Sequence, residues 1–206
     1  MARELTLVDA GLGNLASVER ALIHVGSATQ ITDDPDKVAT ARIVVFPGQG
    51  AFGDHTDQLI DGAMGEALRM VIQRGDPFLG ICLGMQMLFD GSDEGGGRKG
   101  LGILPGQCRR FPANMTAPEG ENVRNLKIPH MGWNEVQPSG EHYYFVHSYY
   151  VDAKNKDDVM WSASYGDVNF AAAVRHENIF GCQFHPEKSQ QAGLRFLRAF
   201  LLGSRS

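Results

Sequence analysis

Three residues of this sequence, Cys82, His185 and Glu187, have the types and neighbours that nucleophilic acyl transfer requires. Cys82 stands in Phe78-Leu79-Gly80-Ile81-Cys82-Leu83-Gly84-Met85-Gln86, an apolar strand-like run followed by G-x-C-x-G and a helical pattern. This is the cysteine analogue of a nucleophile elbow, where small flanking residues allow a sharp turn between strand and helix and leave the nucleophile exposed. The start of a helix also carries partial positive charge, which favours thiolate over thiol. A free cysteine is most often a small buried hydrophobe. Cys182, inside Ile179-Phe180-Gly181-Cys182-Gln183-Phe184, and Cys108, beside Arg109 and Arg110, lack the turn and read as structural.

A thiolate nucleophile needs a base that can return a proton to the leaving amine, and imidazole does both near neutral pH. Of the seven histidines, His185 ends a strand-like run, and Pro186 biases it toward an extended backbone. Side chains two apart in an extended segment point the same way, so Glu187 can hydrogen-bond the His185 ring and orient it. The other histidines show no paired ligand spacing such as H-x-x-x-H, so neither a metal nor another cofactor is expected. Acyl transfer also places negative charge on the substrate oxygen, which two convergent backbone N–H groups must meet. Leu83, next after the nucleophile, supplies one, and Gln49 in the turn Pro47-Gly48-Gln49-Gly50 supplies the other.

These residues need a scaffold that brings three loops together. Short β-rich runs at 5–8, 43–46 and 78–82 alternate with helical periodicity at 16–25, 56–74 and 83–89, which predicts an α/β fold. It is doubly wound, with a mostly parallel central sheet and helices on both faces, and its sites lie at the carboxyl ends of the strands. From about residue 100 to 184, closely spaced strand-like runs such as 143–151 and 159–165 predict an added antiparallel region. Leu194, Leu197 and Leu201 form one stripe of a closing amphipathic helix over 189–202. The glycines of 94–100 suit a mobile surface loop.

At 206 residues the chain is expected to form one domain over its whole length, 1–206. Its net charge of −5, without a Lys/Arg cluster, argues against nucleic acid as a partner. No apolar run approaches the roughly 18 residues needed to span a bilayer, and the opening segment lacks a signal-peptide pattern, so a cytoplasmic location is expected.

Three segments, in this order, are similar to the class I (triad) glutamine amidotransferases: Phe46-Pro47-Gly48-Gln49-Gly50-Ala51-Phe52, the elbow around Cys82, and Gln183-Phe184-His185-Pro186-Glu187-Lys188-Ser189. Within that family Asp9-Ala10-Gly11-Leu12-Gly13-Asn14-Leu15, Pro129-His130-Met131-Gly132-Trp133-Asn134 and Tyr144-Phe145-Val146-His147-Ser148-Tyr149 resemble the glutaminase subunits of imidazole glycerol phosphate synthases. The resemblance implies hydrolysis of glutamine to glutamate and ammonia through a Cys82 thioester. It also implies passage of the ammonia to a separate cyclase subunit in a heterodimer, in histidine biosynthesis. By the same resemblance Gly50, Gln86, Ser148 and Tyr149 hold the glutamine, and Asn14, Arg20, Trp133 and Lys188 face the cyclase. Gln49 stands where the family more often carries a small apolar residue, which touches the control of the oxyanion hole.

Two other readings compete. The triad could serve another synthase or a related Cys-His hydrolase. In a different class, Gly11, Gly13 and Ala16 match G-x-G-x-x-A after a strand, with Asp33 about 20 residues on, as in dinucleotide binding. Asp9 near the pyrophosphate opposes that reading, which also leaves the cysteine elbow unexplained.

Overall fold

The computed structural model describes residues 3–119 and 122–203. The chain begins with β1 (Arg3–Val8), α1 (Leu15–His24), β2 (Ser27–Thr32), α2 (Pro35–Thr40) and β3 (Val44–Gly48). Then come α3 (Asp54–Asp61), α4 (Ala63–Gln73), β4 (Phe78–Cys82) and the one-turn α5 (Leu83–Gln86). There follow β5 (Phe89–Ser92), β6 (Arg98–Lys99), β7 (Leu104–Arg110), β8 (Thr116–Glu119), β9 (Asn122–Asn125) and β10 (His130–Val136). Finally come β11 (Glu141–His147), β12 (Tyr149–Ala153), β13 (Val159–Tyr165), β14 (Val168–His176), β15 (Ile179–Cys182) and α6 (Gln190–Gly203).

Alternate residues of the early strands enter two different cores. Leu5, Leu7, Val45, Leu79 and Ile81 join Val18 and Leu22 of α1 and Phe196, Leu197 and Phe200 of α6. Val8, Val44, Phe46 and Phe78 join Val38 of α2, Leu68 and Val71 of α4, and Leu83 and Met85 of α5. A strand apolar on both sides must lie inside a sheet covered by helices on both faces. The sheet runs β13-β14-β15-β4-β3-β1-β2. Strands β2, β1, β3, β4 and β15 are parallel, and β14 and β13 add an antiparallel edge. Because β2 and β3 lie on opposite sides of β1, the connections diverge there and open a crevice at the carboxyl ends of the strands.

The added region is a β10–β11 hairpin and a four-stranded sheet, β12-β7-β5-β6. The sheet is antiparallel except where β5 runs parallel to β7. Tyr143 and Phe145 of the hairpin pack on Phe184, the Tyr143 ring stacking at 4.1 Å.

The expected elements differ in four places. The helix over 56–74 is two helices, broken at Gly62, whose backbone is extended at φ −97° and ψ −175°. Arg69 donates at 3.0 Å to the Ile60 carbonyl freed there. The helix over 83–89 stops at Gln86, because the Met87 and Leu88 carbonyls accept N–H groups from Leu101, Ile103 and Leu104. The strand over 143–151 divides at Ser148, β11 pairing with β10 and β12 with β7. The loop over 94–100 is tied down by an Arg98–Asp57 ion pair at 2.5 Å and by the Glu94 carboxylate, which accepts the Phe52 N–H at 2.8 Å. Among the described residues no helix is long and apolar enough to cross a membrane.

Candidate active site

Cys82 ends β4 at φ 54° and ψ −109°, a left-handed conformation that L-residues rarely adopt outside strained functional turns. The turn is possible because β4 and α5 touch. A Cβ on Gly80 would fall 2.6 Å from the Gly84 carbonyl oxygen, and one on Gly84 only 2.0 Å from that of Phe46. Those two glycines are therefore required by contact, and they hold Cys82, 7% exposed, at the carboxyl end of β4.

β15 lies directly beside β4, with Cys182 paired to Ile81. The chain leaving β15 delivers His185 to the same end of the sheet, followed by a single 3-10 turn over Pro186–Lys188. His185 is anchored at both backbone groups: its N–H donates to the Tyr144 carbonyl at 2.9 Å, and its carbonyl accepts the Ser189 hydroxyl at 2.6 Å. The Ser189 oxygen in turn accepts the Tyr144 N–H at 2.9 Å. Nδ1 of the ring lies 2.8 Å from Glu187 Oε1, with both side chains buried. The other nitrogen, Nε2, is buried without a fully formed hydrogen bond and interacts with Cys82. Burial alone would lower the imidazole pKa, but Cys82 and Glu187 outweigh it and raise it to about 10. A ring that gains protons so readily beside a sulfur nucleophile suits the transfer of one to a leaving amine.

The turn after β3 is not open to a substrate oxygen in this conformation. The Gln49 N–H donates to the Leu12 carbonyl at 2.5 Å, so the expected second oxyanion donor points into the protein. Leu12, Gly13 and Asn14 meet Gly48 and Gln49 over His185 and Glu187, around only about 10 Å³ of free volume, the lower bound for one water. The same packing removes the dinucleotide reading. A Cβ at Gly13 would lie 2.8 Å from Gln49 Cβ, so that side chain fills the approach a pyrophosphate needs. Among the described residues, no group of three or more His, Cys, Asp or Glu is placed to hold a metal ion.

The description of the glutamine amidotransferase class-I family matches residues 6–203. The chain belongs to that family. This amidotransferase is 46% identical, over 95% of its length and 98% of the relative's, to a protein of Syntrophotalea carbinolica named imidazole glycerol phosphate synthase subunit HisH. It is 42% identical to the protein of that name from Moorella thermoacetica, over 96% and 94% of the two chains. A crystal structure of a glutamine amidotransferase superposes with a TM-score of 0.70 at 18% identity, covering 98% of this chain and 99% of that one. PurLQS from Thermotoga maritima gives 0.72 at 17%, covering both chains fully. At such identities the superpositions speak for the fold.

The remaining expected residues of the amidotransferase fall in two groups. Gln86 is buried at the end of α5, and both N–H groups of its amide are engaged, with the Tyr149 carbonyl and Gln183 Oε1 at 2.9 Å each. Ser148 and Tyr149 join β11 to β12, with their backbone carbonyls held by Phe111 N–H and by Gln86 and His147. Gly50 follows Gln49 in the closed turn. Around the rim, Asn14 caps α1 by accepting the Ser17 N–H, and Arg20 donates to the Ser17 hydroxyl at 2.9 Å. Arg20 also borders an open hollow of about 290 Å³ beside Pro186, Glu187 and Gln190, next to Lys188. Trp133, 48% exposed, and Met131, 62% exposed, project from β10.

Ser189, Gln183 and Glu94 were missed from sequence. Ser189 stands at the start of the closing helix, but its bond to Tyr144, 45 residues away, joins segments that no local pattern relates. The glycines around Glu94 hid a carboxylate whose burial raises its pKa against the Phe52 hydrogen bond that lowers it.

Proposed function

We propose that this chain is the glutaminase subunit of an imidazole glycerol phosphate synthase, releasing ammonia from glutamine for a separate cyclase subunit in histidine biosynthesis. The observation that carries the reading is the juxtaposition at one end of β4 and β15: a strained Cys82 beside a buried imidazole that Glu187 holds at 2.8 Å. The full-length likeness to HisH proteins supports the choice of synthase.

The Cys82 sulfur attacks the glutamine side-chain carbonyl. Negative charge gathers on its oxygen near the Leu83 N–H, and His185 hands a proton to the departing nitrogen, which leaves as ammonia. Water, losing its proton to His185, then opens the thioester to glutamate and restores the thiolate. Gly50, Gln86, Ser148 and Tyr149 hold the amino-acid end of glutamine. Asn14, Arg20, Trp133 and Lys188 face the cyclase, in a one-to-one complex placed in the cytoplasm, the chain acting as a single domain.

The captured Gln49 N–H supports a further element of this reading: the isolated chain is slow, and docking of the cyclase with its ligand frees that N–H for the oxyanion. One missing donor of this kind costs roughly 2.7–4 kcal/mol of transition-state stabilisation. The test is ammonia release from glutamine by the chain alone, with the cyclase, and with the cyclase plus its ligand. A rise of roughly 100-fold or more in the last condition, abolished by Cys82→Ser, is the expected result. Full turnover by Cys82→Ser would falsify the assignment of the nucleophile, and a high rate without partner would remove the dedicated synthase.

A further inference from the structure

A buried file of polar groups runs from the β10–β11 hairpin to the sulfur, and one peptide carbonyl fixes its direction. The Tyr149 carbonyl can only accept, and it takes an N–H from Gln86 Nε2 at 2.9 Å and the Nδ1–H of His147 at 2.8 Å. Gln86 therefore turns its nitrogen this way, and the second N–H of that nitrogen reaches Gln183 Oε1 at 2.9 Å. With its oxygen engaged, Gln183 presents its nitrogen to Cys82, Nε2 standing 3.7 Å from Sγ. On the other side of the carbonyl, His147 carries its proton on Nδ1 and accepts at Nε2 from His130 Nδ1–H, 2.9 Å away. His130 Nε2 is then left to accept from Asn134 Nδ2 at 3.3 Å, and the other N–H of Asn134 holds the Ser164 carbonyl at 2.8 Å. No ring or amide in the file can flip without breaking its bonds on both sides.

Gln183 is fully buried, where an apolar residue would fill the space without any need for partners. Its oxygen satisfies the buried Gln86 N–H, and its nitrogen is turned to the sulfur. We propose that Gln183 is a positioning residue for Cys82: its side-chain N–H, aimed by Gln86 and by the file behind it, holds the sulfur as an anion facing His185. An N–H donor strengthens its bond when the acceptor is charged, so it favours the sulfur anion once the thiol proton has passed to the neighbouring His185 Nε2. The proposal rests on the reading of Cys82 as the nucleophile. It deepens that reading by connecting the hairpin that carries Trp133 to the reacting atom.

The test is the rate at which iodoacetamide alkylates Cys82 at pH 7 in the full chain, located by peptide mass spectrometry. Gln183→Met fills the same volume without an N–H, and Gln183→Glu keeps an acceptor for Gln86 while setting a carboxylate against the sulfur. Both variants are expected to alkylate about tenfold more slowly, Gln183→Glu the slower. In the glutaminase assay with the cyclase, kcat is expected to fall in step while KM for glutamine stays within about threefold. Wild-type alkylation in both variants overturns the proposal. So does a raised KM with kcat and alkylation unchanged, since Gln183 would then bind substrate only. His130→Phe leaves every group at the sulfur in place, and its ring can keep the stacking on Phe145 and Tyr165 while losing the donor to His147. It is expected to slow alkylation about threefold, and no change would overturn the claim that the file aims Gln183. Because alkylation needs no glutamine, a wild type that alkylates rapidly but releases no ammonia would refute the glutaminase reading separately.

Discussion

A Cβ at position 82 is held against its own backbone, because φ 54° and ψ −109° suit glycine and strain every other residue by roughly 1–3 kcal/mol. Two inactive variants isolate that strain, since Cys82→Ala and Cys82→Gly differ only in this Cβ. The glycine variant is expected to be the more stable by about 1 kcal/mol in urea unfolding, the reverse of the usual order, and a more stable alanine variant would show a relaxed turn. The partner base makes a second prediction at this scale. Its raised pKa means that the folded state holds a proton which the unfolded chain releases near pH 6.5. The stability this adds is complete below about pH 6.5 and drains away as the pH climbs to about 10. The gap in unfolding midpoint between wild type and His185→Gln should therefore be wider at pH 6 than at pH 9.5, and an equal gap would mean that the ring is not charged. Glu187→Gln should keep more glutaminase activity than His185→Ala, because it orients the ring without receiving its proton. Cys82, His185 and Glu187 were legible in the sequence because each lies in a local pattern, two glycines about a cysteine and an extended His-Pro-Glu. Gln183 was not, since its partner Gln86 is 97 residues away and nothing in either neighbourhood names the other.

At the scale of elements, close contact replaces spacing as the informative quantity. α6 crosses the His185 turn at Gly193, where a Cβ would lie 1.8 Å from the Pro186 carbonyl oxygen. Gly193→Ala should push the helix off the turn, with a loss of about 1–3 kcal/mol in unfolding free energy and at least tenfold in kcat. Wild-type values in both would show that α6 does not set the base. The β10–β11 hairpin carries a different liability. Burial lowers the pKa of His147 to about 3, with His130 and His185 adding to the shift, and that of His130 to about 4. The unfolded chain takes up protons near pH 6.5 that the folded hairpin refuses. The stability from these two rings is thus present above about pH 6.5 and is lost as the pH falls toward 4. A fall in unfolding midpoint from pH 7 to pH 5 that is smaller in His130→Phe than in wild type is the expected signature. Sequence periodicity recovered β1, β3, β4 and α6 because their buried faces are long and regular. It joined α3 to α4 because Gly62 alone interrupts an otherwise helical run, and it passed over β2, an edge strand with few apolar residues.

For the molecule as a whole, Asn14, Arg20 and Lys188 lie beside the His185–Glu187 turn, and Trp133 rests on Tyr144, whose backbone bonds His185 and Ser189, so the partner proposed above would reach the site from these residues. Trp133 is exposed while its ring edge rests on Tyr144, 6.1 Å away, which presents a rigid aromatic anchor. Trp133→Ala should weaken cyclase binding by about 2 kcal/mol or more in a calorimetric titration, without changing the alkylation of Cys82 in the free chain. An unchanged affinity would place the partner elsewhere. The doubly wound class was legible from alternating strands and helices. The switch point was not, because strand order is decided by which crossovers pack, a property of no single segment.

The insertion of β15 between β4 and β14 has a consequence for biogenesis. During synthesis β4 emerges about 100 residues before the strand that covers it, so every nascent chain carries an unpaired, wholly apolar sheet edge until Ile179–Cys182 is made. Such an edge recruits other strands, and pairing this distant in sequence is slow to form. Ribosome-released fragments ending before Ile179 should therefore self-associate, while the finished chain stays dispersed once its own late strand has sealed the gap.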